Sequence, residues 1–121
     1  VKAQLWPPRT WNSIFERAVY QAHRLHELES NPKNNLLIVR NKTDMEHADK
    51  KILALLLTEG SHPLEGKIDN IKNLYDAGYR AMGLQHFFDN ELGGSLHGQG
   101  KKQQDLVVLV LVVENCAVLL G

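Results

Sequence analysis

The sequence lacks most features that would assign a small chain to a specialised class. It has 121 residues and one cysteine, Cys116, so no internal disulfide can brace it. Lysine plus arginine number 14 and aspartate plus glutamate number 14, so there is no basic surplus for nucleic acid. Apolar and charged contents of 43% and 23% are those of an ordinary globular protein. We therefore expect one folded domain with one modest core and no nucleic-acid partner.

Long hydrophobic runs and targeting signals are also missing. Residues 106–120 form an apolar run that is too short to span a bilayer, and Glu114 and Asn115 interrupt it. The first residues lack the basic start, the apolar stretch and the small-residue cleavage site that mark a signal peptide. Glycines cluster at 93, 94, 98 and 100 without a phosphate-binding pattern. We therefore expect no membrane-spanning segment, and a loop at these glycines.

What the sequence does contain is an alternation of short apolar runs with amphipathic segments. Capping-box patterns at 13–16 and 43–46 each predict the start of a helix, and the first of these helices should end near Pro32. A third helix is predicted around Leu74, with Gly78 as its C-terminal glycine. Strands are predicted at 3–6, 35–39, 52–58, 79–85 and 106–113.

This order of elements predicts an α/β fold with a parallel sheet, because strand–helix–strand units make right-handed crossovers between parallel strands. A complete (β/α)8 TIM barrel takes about 250 residues. We therefore expect a partial parallel barrel of about four to five units. Segments 52–58 and 79–85 should be adjacent parallel strands, and the continuous apolar character of 52–58 predicts burial on both faces.

Two ionisable residues stand where two of these strands end. Glu59 directly follows the predicted strand 52–58, and His86 directly follows the predicted strand 79–85. The two residues are 86 − 59 = 27 positions apart, which is about one strand–helix–strand unit. Side chains at the carboxyl ends of parallel strands meet at the edge where ligands bind. A carboxylate and an imidazole there could ligate a metal, exchange a proton or hold a substrate. The alternative is that Glu59 caps the next turn and His86 is a partly buried histidine.

Residues 58–98 resemble the central signature of the membrane dipeptidase (renal dipeptidase) family of zinc metallopeptidases. The matching elements are E-G-x-H from Glu59, G-x-R-x-x-x-L-x-H ending at His86, then HFFDN and GGS-x-HG, as in bacterial members. Residues 1–57 fit more loosely, and 101–121 do not match. The family's members are (β/α)8 barrels with two zinc ions that hydrolyse dipeptides, so the resemblance implies this fold, cofactor and substrate.

The resemblance also implies roles for individual residues. Glu59 corresponds to the catalytic carboxylate that bridges the two metals, and between them the ions would share a hydroxide that attacks the peptide bond. His86 corresponds to a catalytic, substrate-binding histidine that faces the scissile carbonyl. Asp89 and Asn90 follow His86, and we expect them to shape the substrate pocket and count them as candidate substrate-binding residues. His62, three residues after Glu59, is a candidate to support the metals.

The rest of the family's metal ligands are an early His-x-Asp pair and two later histidines with an aspartate. We identify no His-x-Asp pair in the chain, and the one histidine after His86, His97, is in the glycine-rich loop and not at a strand end. We therefore expect residues 1–121 to be one incomplete metallo-dependent hydrolase barrel domain, a fragment that is inactive alone and prone to self-associate. Two alternatives stay open, a non-catalytic barrel-derived binding module and another amidohydrolase-type barrel hydrolase. His23 and His26, three apart on the first helix, are weaker metal candidates.

Overall fold

Short parallel strands alternate with helices along the chain, as the sequence predicts. The computed structural model describes residues 5–90, 92–95 and 97. The helices and strands are α1 (Ile14–Ser30), β1 (Leu36–Ile38), β2 (Ile52–Ala54), β3 (Leu56–Thr58), α2 (Asp69–Asp76) and β4 (Tyr79–Met82). Short 3-10 helices lie at Pro8–Thr10, Pro32–Asn34, Thr43–His47 and His62–Leu64. None of the helices in this part of the chain is long and apolar enough to cross a membrane.

The strands form two parallel ladders. β1 pairs with β2, Leu36 opposite Ile52, and β3 pairs with β4, Thr58 opposite Met82. β2 and β3 are consecutive and separated only by Leu55, so one stretch of chain pairs first with β1 and then with β4. The predicted parallel pairing of 52–58 with 79–85 is therefore confirmed for Leu56–Thr58 and Tyr79–Met82, whereas β2 pairs with β1 and β4 ends at Met82. The mixed α/β character is confirmed. Closure into a barrel is not seen among the described residues.

The prediction of one unbroken strand buried on both faces was wrong for this stretch. Pairing breaks at Leu55, and Leu55 and Leu57 are each 51% exposed, whereas Leu56 between them packs against the core. Side chains of a strand alternate between the two faces of a sheet. Helices cover only one of those faces in the described structure, so every second leucine faces away from the core.

The core lies between α1, α2 and the β3–β4 ladder. Its buried members are Ala18, Ala22, Leu64, Leu74 and Tyr79. The Tyr79 hydroxyl donates a 2.9 Å hydrogen bond to the Ala18 carbonyl, and burial raises the pKa of Tyr79. This bond fixes the start of β4 against the middle of α1.

α1 begins at the predicted capping box. The Ser13 hydroxyl accepts a hydrogen bond from Glu16 N at 3.0 Å, as an N-cap serine should. A second cap comes from a distant residue: Glu65 Oε1 accepts from Phe15 N at 3.1 Å and from the Ser13 hydroxyl at 2.8 Å. Burial raises the pKa of Glu65, but these hydrogen bonds outweigh it and hold the pKa below its usual value.

Gly78 ends the third predicted helix as expected. It follows α2 and has φ 110°, a left-handed conformation that favours glycine. A Cβ there would lie 3.2 Å from Leu56 Cδ1, so a larger residue would also press on β3. Glycine is therefore favoured at the turn between α2 and β4.

Two local predictions need correction. A short helix does begin at Thr43 as predicted, as the 3-10 helix Thr43–His47, but Thr43 does not cap it; Asn41 Oδ1 instead accepts from Asp44 N at 3.1 Å, two residues before the predicted cap. Leu5 and Trp6 form no strand, since Leu5 has φ 58° and a turn conformation. The predicted strand at 106–113 lies outside the described residues.

Candidate active site

Glu59 and His86 lie side by side beyond the carboxyl ends of β3 and β4. Glu59 directly follows Thr58, the last residue of β3, and His86 stands four residues after Met82, the last residue of β4. Glu59 Oε2 is 3.3 Å from His86 Nδ1. The two residues that the sequence placed at one sheet edge are therefore within ion-pair distance.

This pair is open to solvent. The Glu59 side chain is 74% exposed and the His86 side chain 45% exposed, so a ligand can reach both. Exposed ion pairs contribute little to stability, which leaves no strong structural reason for the pair. Nor does Glu59 cap the next turn: the 3-10 helix His62–Leu64 has no side-chain cap.

Gly83 brings the two strand ends together beneath the pair. Its N–H donates to the Thr58 carbonyl at 2.8 Å, directly before Glu59. A Cβ on Gly83 would lie 3.0 Å from the Glu59 carbonyl carbon and closer still to its oxygen. Only a residue without a side chain allows this approach, so Gly83 fixes the backbone position of Glu59 relative to β4.

Farther from the strands, the two loops are joined through the Leu84 carbonyl. Ser61 N and Oγ donate to it at 3.1 and 2.7 Å, and Asn90 Nδ2 donates to it at 2.7 Å. Asn90 Nδ2 also donates to Ser61 Oγ at 3.0 Å, and Asn90 Oδ1 accepts from Leu92 N at 2.9 Å. The side-chain amide of Asn90, a predicted pocket residue, is thus engaged within the protein.

Asp89, the other predicted pocket residue, shapes the same loop. Its Oδ1 accepts from Ser95 N at 2.6 Å, and the Ser95 hydroxyl donates to the Phe87 carbonyl at 2.8 Å. His62 Nε2 lies 3.3 Å from the Asp89 carbonyl, so this histidine contacts the loop backbone. These contacts fold the segment after His86 back towards the residues that follow Glu59.

An aromatic ring packs against His86, a contact that the sequence did not predict. Phe87 meets the His86 ring edge-on with centroids 4.2 Å apart, and His97 stacks on Phe87 at 5.6 Å. Phe87 and Phe88 are 52% and 74% exposed. The HFFDN motif carried this signal, because two phenylalanines follow His86 directly in the sequence.

The weaker metal candidates on α1 do not come together. His26 Nε2 lies 2.9 Å from the Ala77 carbonyl, and its Nδ1 lies 3.3 Å from Arg40 Nη2. His23 is 65% exposed and faces Glu27 on the same helix. The two histidines therefore have separate surroundings and form no zinc clip.

One His-x-Asp sequence does occur in the chain, at His47 and Asp49, and the sequence reasoning overlooked it. Both residues are exposed and lie just before β2. They are therefore at the amino end of the strand run whose carboxyl end carries Glu59. At about 3.3 Å per residue that run separates the two ends by roughly 20 Å, too far for a shared metal.

The described residues do not by themselves fit a zinc site. Zinc sites use three or four protein ligands, and in the part of the chain that the structure describes no three His, Cys, Asp or Glu residues gather closely enough to hold a metal. Glu59 suits one position of such a site, since its carboxylate is exposed and has two oxygens.

The fold and site define a parallel α/β chain with a carboxylate and an imidazole at one strand-end edge. A family model for membrane dipeptidase (peptidase family M19) matches residues 2–107, most of the chain, and the chain belongs to this family. Searches of curated proteins and of solved structures each found no match. At the family level, the protein is a dipeptidase-type hydrolase.

Proposed function

We propose that this chain carries the centre of the active site of a zinc-dependent dipeptidase, with Glu59 as a metal ligand and His86 as the residue that faces the substrate. The observation that carries the proposal is the 3.3 Å approach of these side chains beyond two neighbouring parallel strands. Ligands of parallel α/β folds bind at this edge. Membership of the membrane dipeptidase family supplies the class of reaction.

In this proposal residues 1–121 belong to one (β/α)8 barrel domain and form only part of it. The described strands are parallel and neighbour one another in chain order, as barrel strands do. Leu55 and Leu57 are exposed on the sheet face opposite the helical core, where a barrel has its packed interior. The remaining strands of the intact protein would cover that face.

Glu59 would be one of the residues that hold zinc, since its carboxylate is exposed and carries two oxygens that can act as ligands. Bound zinc supplies a hydroxide near neutral pH by lowering the pKa of its water. The other ligands have to come from outside the described residues, because Glu59 has no group of companion ligands there.

His86 would donate a hydrogen bond to the carbonyl oxygen of the scissile bond as negative charge develops on it. Such a donor contributes about 3 kcal/mol to the transition state. With Nδ1 next to Glu59, Nε2 is the nitrogen available for this bond, and Phe87 packs edge-on against the ring. Asp89 and Asn90 would shape the pocket through the fold of their loop.

Two substitutions in the intact protein test these roles. Glu59→Gln should lower zinc content and dipeptide hydrolysis together, because it removes a ligand charge. His86→Ala should leave zinc bound and lower kcat by about a hundredfold or more. The matched controls are Glu27→Gln and His23→Ala, an exposed pair of the same residue types 3.6 Å apart on α1, and neither should change zinc content or kcat.

Each alternative function predicts a different result. A non-catalytic module would show no hydrolysis in the wild-type protein, and an amidohydrolase of another type would cleave a cyclic amide but no dipeptide. Full activity in the His86→Ala variant would remove the role assigned to that histidine.

A further inference from the structure

A cluster of hydrogen bonds ties together the loops that carry Glu59 and His86. We call this cluster the loop clamp: Ser61, the Leu84 carbonyl and Asn90. We propose that Ser61 and Asn90 are positioning residues that set the separation of Glu59 and His86 without contacting the substrate. The expected effect of the clamp on kcat rests on the proposed function of Glu59 and His86. The expected effect on the separation of these two side chains does not.

The clamp lies close to the pair along both chain segments. Ser61 stands two residues after Glu59, and Leu84 stands two residues before His86. The last ladder bond below the pair runs from Gly83 N to Thr58 O. The clamp is therefore the next connection between the two chain segments, and without it Glu59 and His86 would extend from separate loops.

The Ser61 part of the clamp is buried. Ser61 is 2% exposed, so its hydrogen bonds to the Leu84 carbonyl do not compete with bulk water. The Leu84 carbonyl accepts Ser61 N, Ser61 Oγ and Asn90 Nδ2, all within 3.1 Å. Buried polar groups that lose their partners are costly, so this arrangement resists opening.

The side-chain amide of Asn90 makes its hydrogen bonds within the protein. A side-chain amide has two N–H donors, and both contacts of Asn90 Nδ2 are to the protein, Leu84 O and Ser61 Oγ. Its Oδ1 accepts from Leu92 N. An amide used in this way orders the loop after His86 and acts on the substrate only through that loop.

Kinetics of the intact protein give the first test. Ser61→Ala removes the hydroxyl, and Asn90→Asp keeps the shape of residue 90 but removes its N–H donors. Each should lower kcat for L-Ala-L-Ala by about tenfold or more with little change in KM, because small displacements of catalytic groups are costly. The double variant should be little worse than the worse single one, since both belong to one cluster.

Matched controls come from hydrogen bonds of the same types elsewhere. Ser30→Ala removes a hydroxyl that donates to the Glu27 carbonyl, and Asn73→Asp removes an amide that donates to Asn70. Both controls should keep the wild-type kcat. Circular dichroism checks that all variants fold, and Asn90→Asp, at a less buried position than Ser61, serves if Ser61→Ala does not fold.

An NMR measurement separates the clamp from the proposed function. Wild type and both controls should show a nuclear Overhauser contact between the His86 ring and the Glu59 side chain, and Ser61→Ala and Asn90→Asp should lose it. A wild-type protein that hydrolyses no dipeptide would overturn the proposed function. The contact between His86 and Glu59, compared between wild type and the clamp variants, would still test the clamp. Clamp variants that keep the contact and the wild-type kcat would overturn the positioning role.

Discussion

Glu29 joins the end of α1 to β1 and gives the sharpest prediction about stability. Its Oε1 accepts from Ile38 N at 2.7 Å, and its carboxylate binds Arg40 Nη1 and Nη2 at 3.0 and 2.6 Å. The hydrogen bonds from Arg40 lower the pKa of Glu29 from 4.5 to about 2. Burial opposes this shift, and the hydrogen bond from Ile38 N–H adds to it. His26 Nδ1, 3.6 Å away, also favours the carboxylate.

The sign of the effect follows from this lowered pKa. A carboxyl whose pKa is lower in the folded state stabilises the protein above its unfolded pKa, and the stabilisation is lost as pH falls from 4.5 to about 2. At 1.36 kcal/mol per pH unit the difference corresponds to about 3 kcal/mol. The Arg40 side chain is 34% exposed, and screening there reduces the expected value to about 2 kcal/mol.

Glu29→Gln tests this value, since glutamine keeps an acceptor for Ile38 N–H and loses the charge. Urea unfolding followed by tryptophan fluorescence should show the variant less stable by about 2 kcal/mol at pH 7, with the gap closing as pH falls towards 2. Glu27→Gln, two residues earlier and 52% exposed, is the control and should change little. A difference in unfolding free energy between wild type and Glu29→Gln that stays constant with pH would contradict the assigned role of the Glu29 charge. An equal loss of stability in Glu27→Gln would contradict it too.

Three further predictions follow from other contacts. Gly83→Ala should cost about 1–3 kcal/mol of stability in thermal unfolding and lower kcat, because its Cβ would collide with the Glu59 carbonyl; wild-type values would contradict the tight approach. Glu65→Ala should cost about 1 kcal/mol and speed hydrogen exchange of Phe15 N–H, since α1 loses its distant cap; unchanged exchange would argue against that cap. The 121-residue chain should self-associate in size-exclusion chromatography through the exposed face of Leu55 and Leu57, and a stable monomer would count against an open barrel.

Some parts of this structure were predictable because their causes are local. The N-cap of α1 at Ser13 and the glycine end of α2 at Gly78 depend on residues within a few positions of the helix end. The approach of Glu59 and His86 was predictable for a topological reason, since consecutive parallel strands bring their carboxyl ends to one edge.

Other parts could not be predicted because they depend on the path of a loop. Glu65 caps α1 from 50 residues away, and nothing in the local pattern links it to Phe15. Asn90 meets Ser61 only because the loop after β4 turns back over the loop after β3. The break in strand pairing at Leu55 could not be predicted either. A continuous apolar run does not show which of its residues pair with the strand on one side and which with the strand on the other.

The central claim is that Glu59 is a zinc ligand beside a substrate-facing histidine. Crystals of the intact protein, prepared with zinc and measured at the zinc absorption edge, test it most directly. We expect two anomalous peaks beside the Glu59 carboxylate, each about 2.0–2.2 Å from one of its oxygens, with His86 nearby but not bound to either ion. Zinc bound elsewhere with none at Glu59, or zinc ligated by His86, would contradict it.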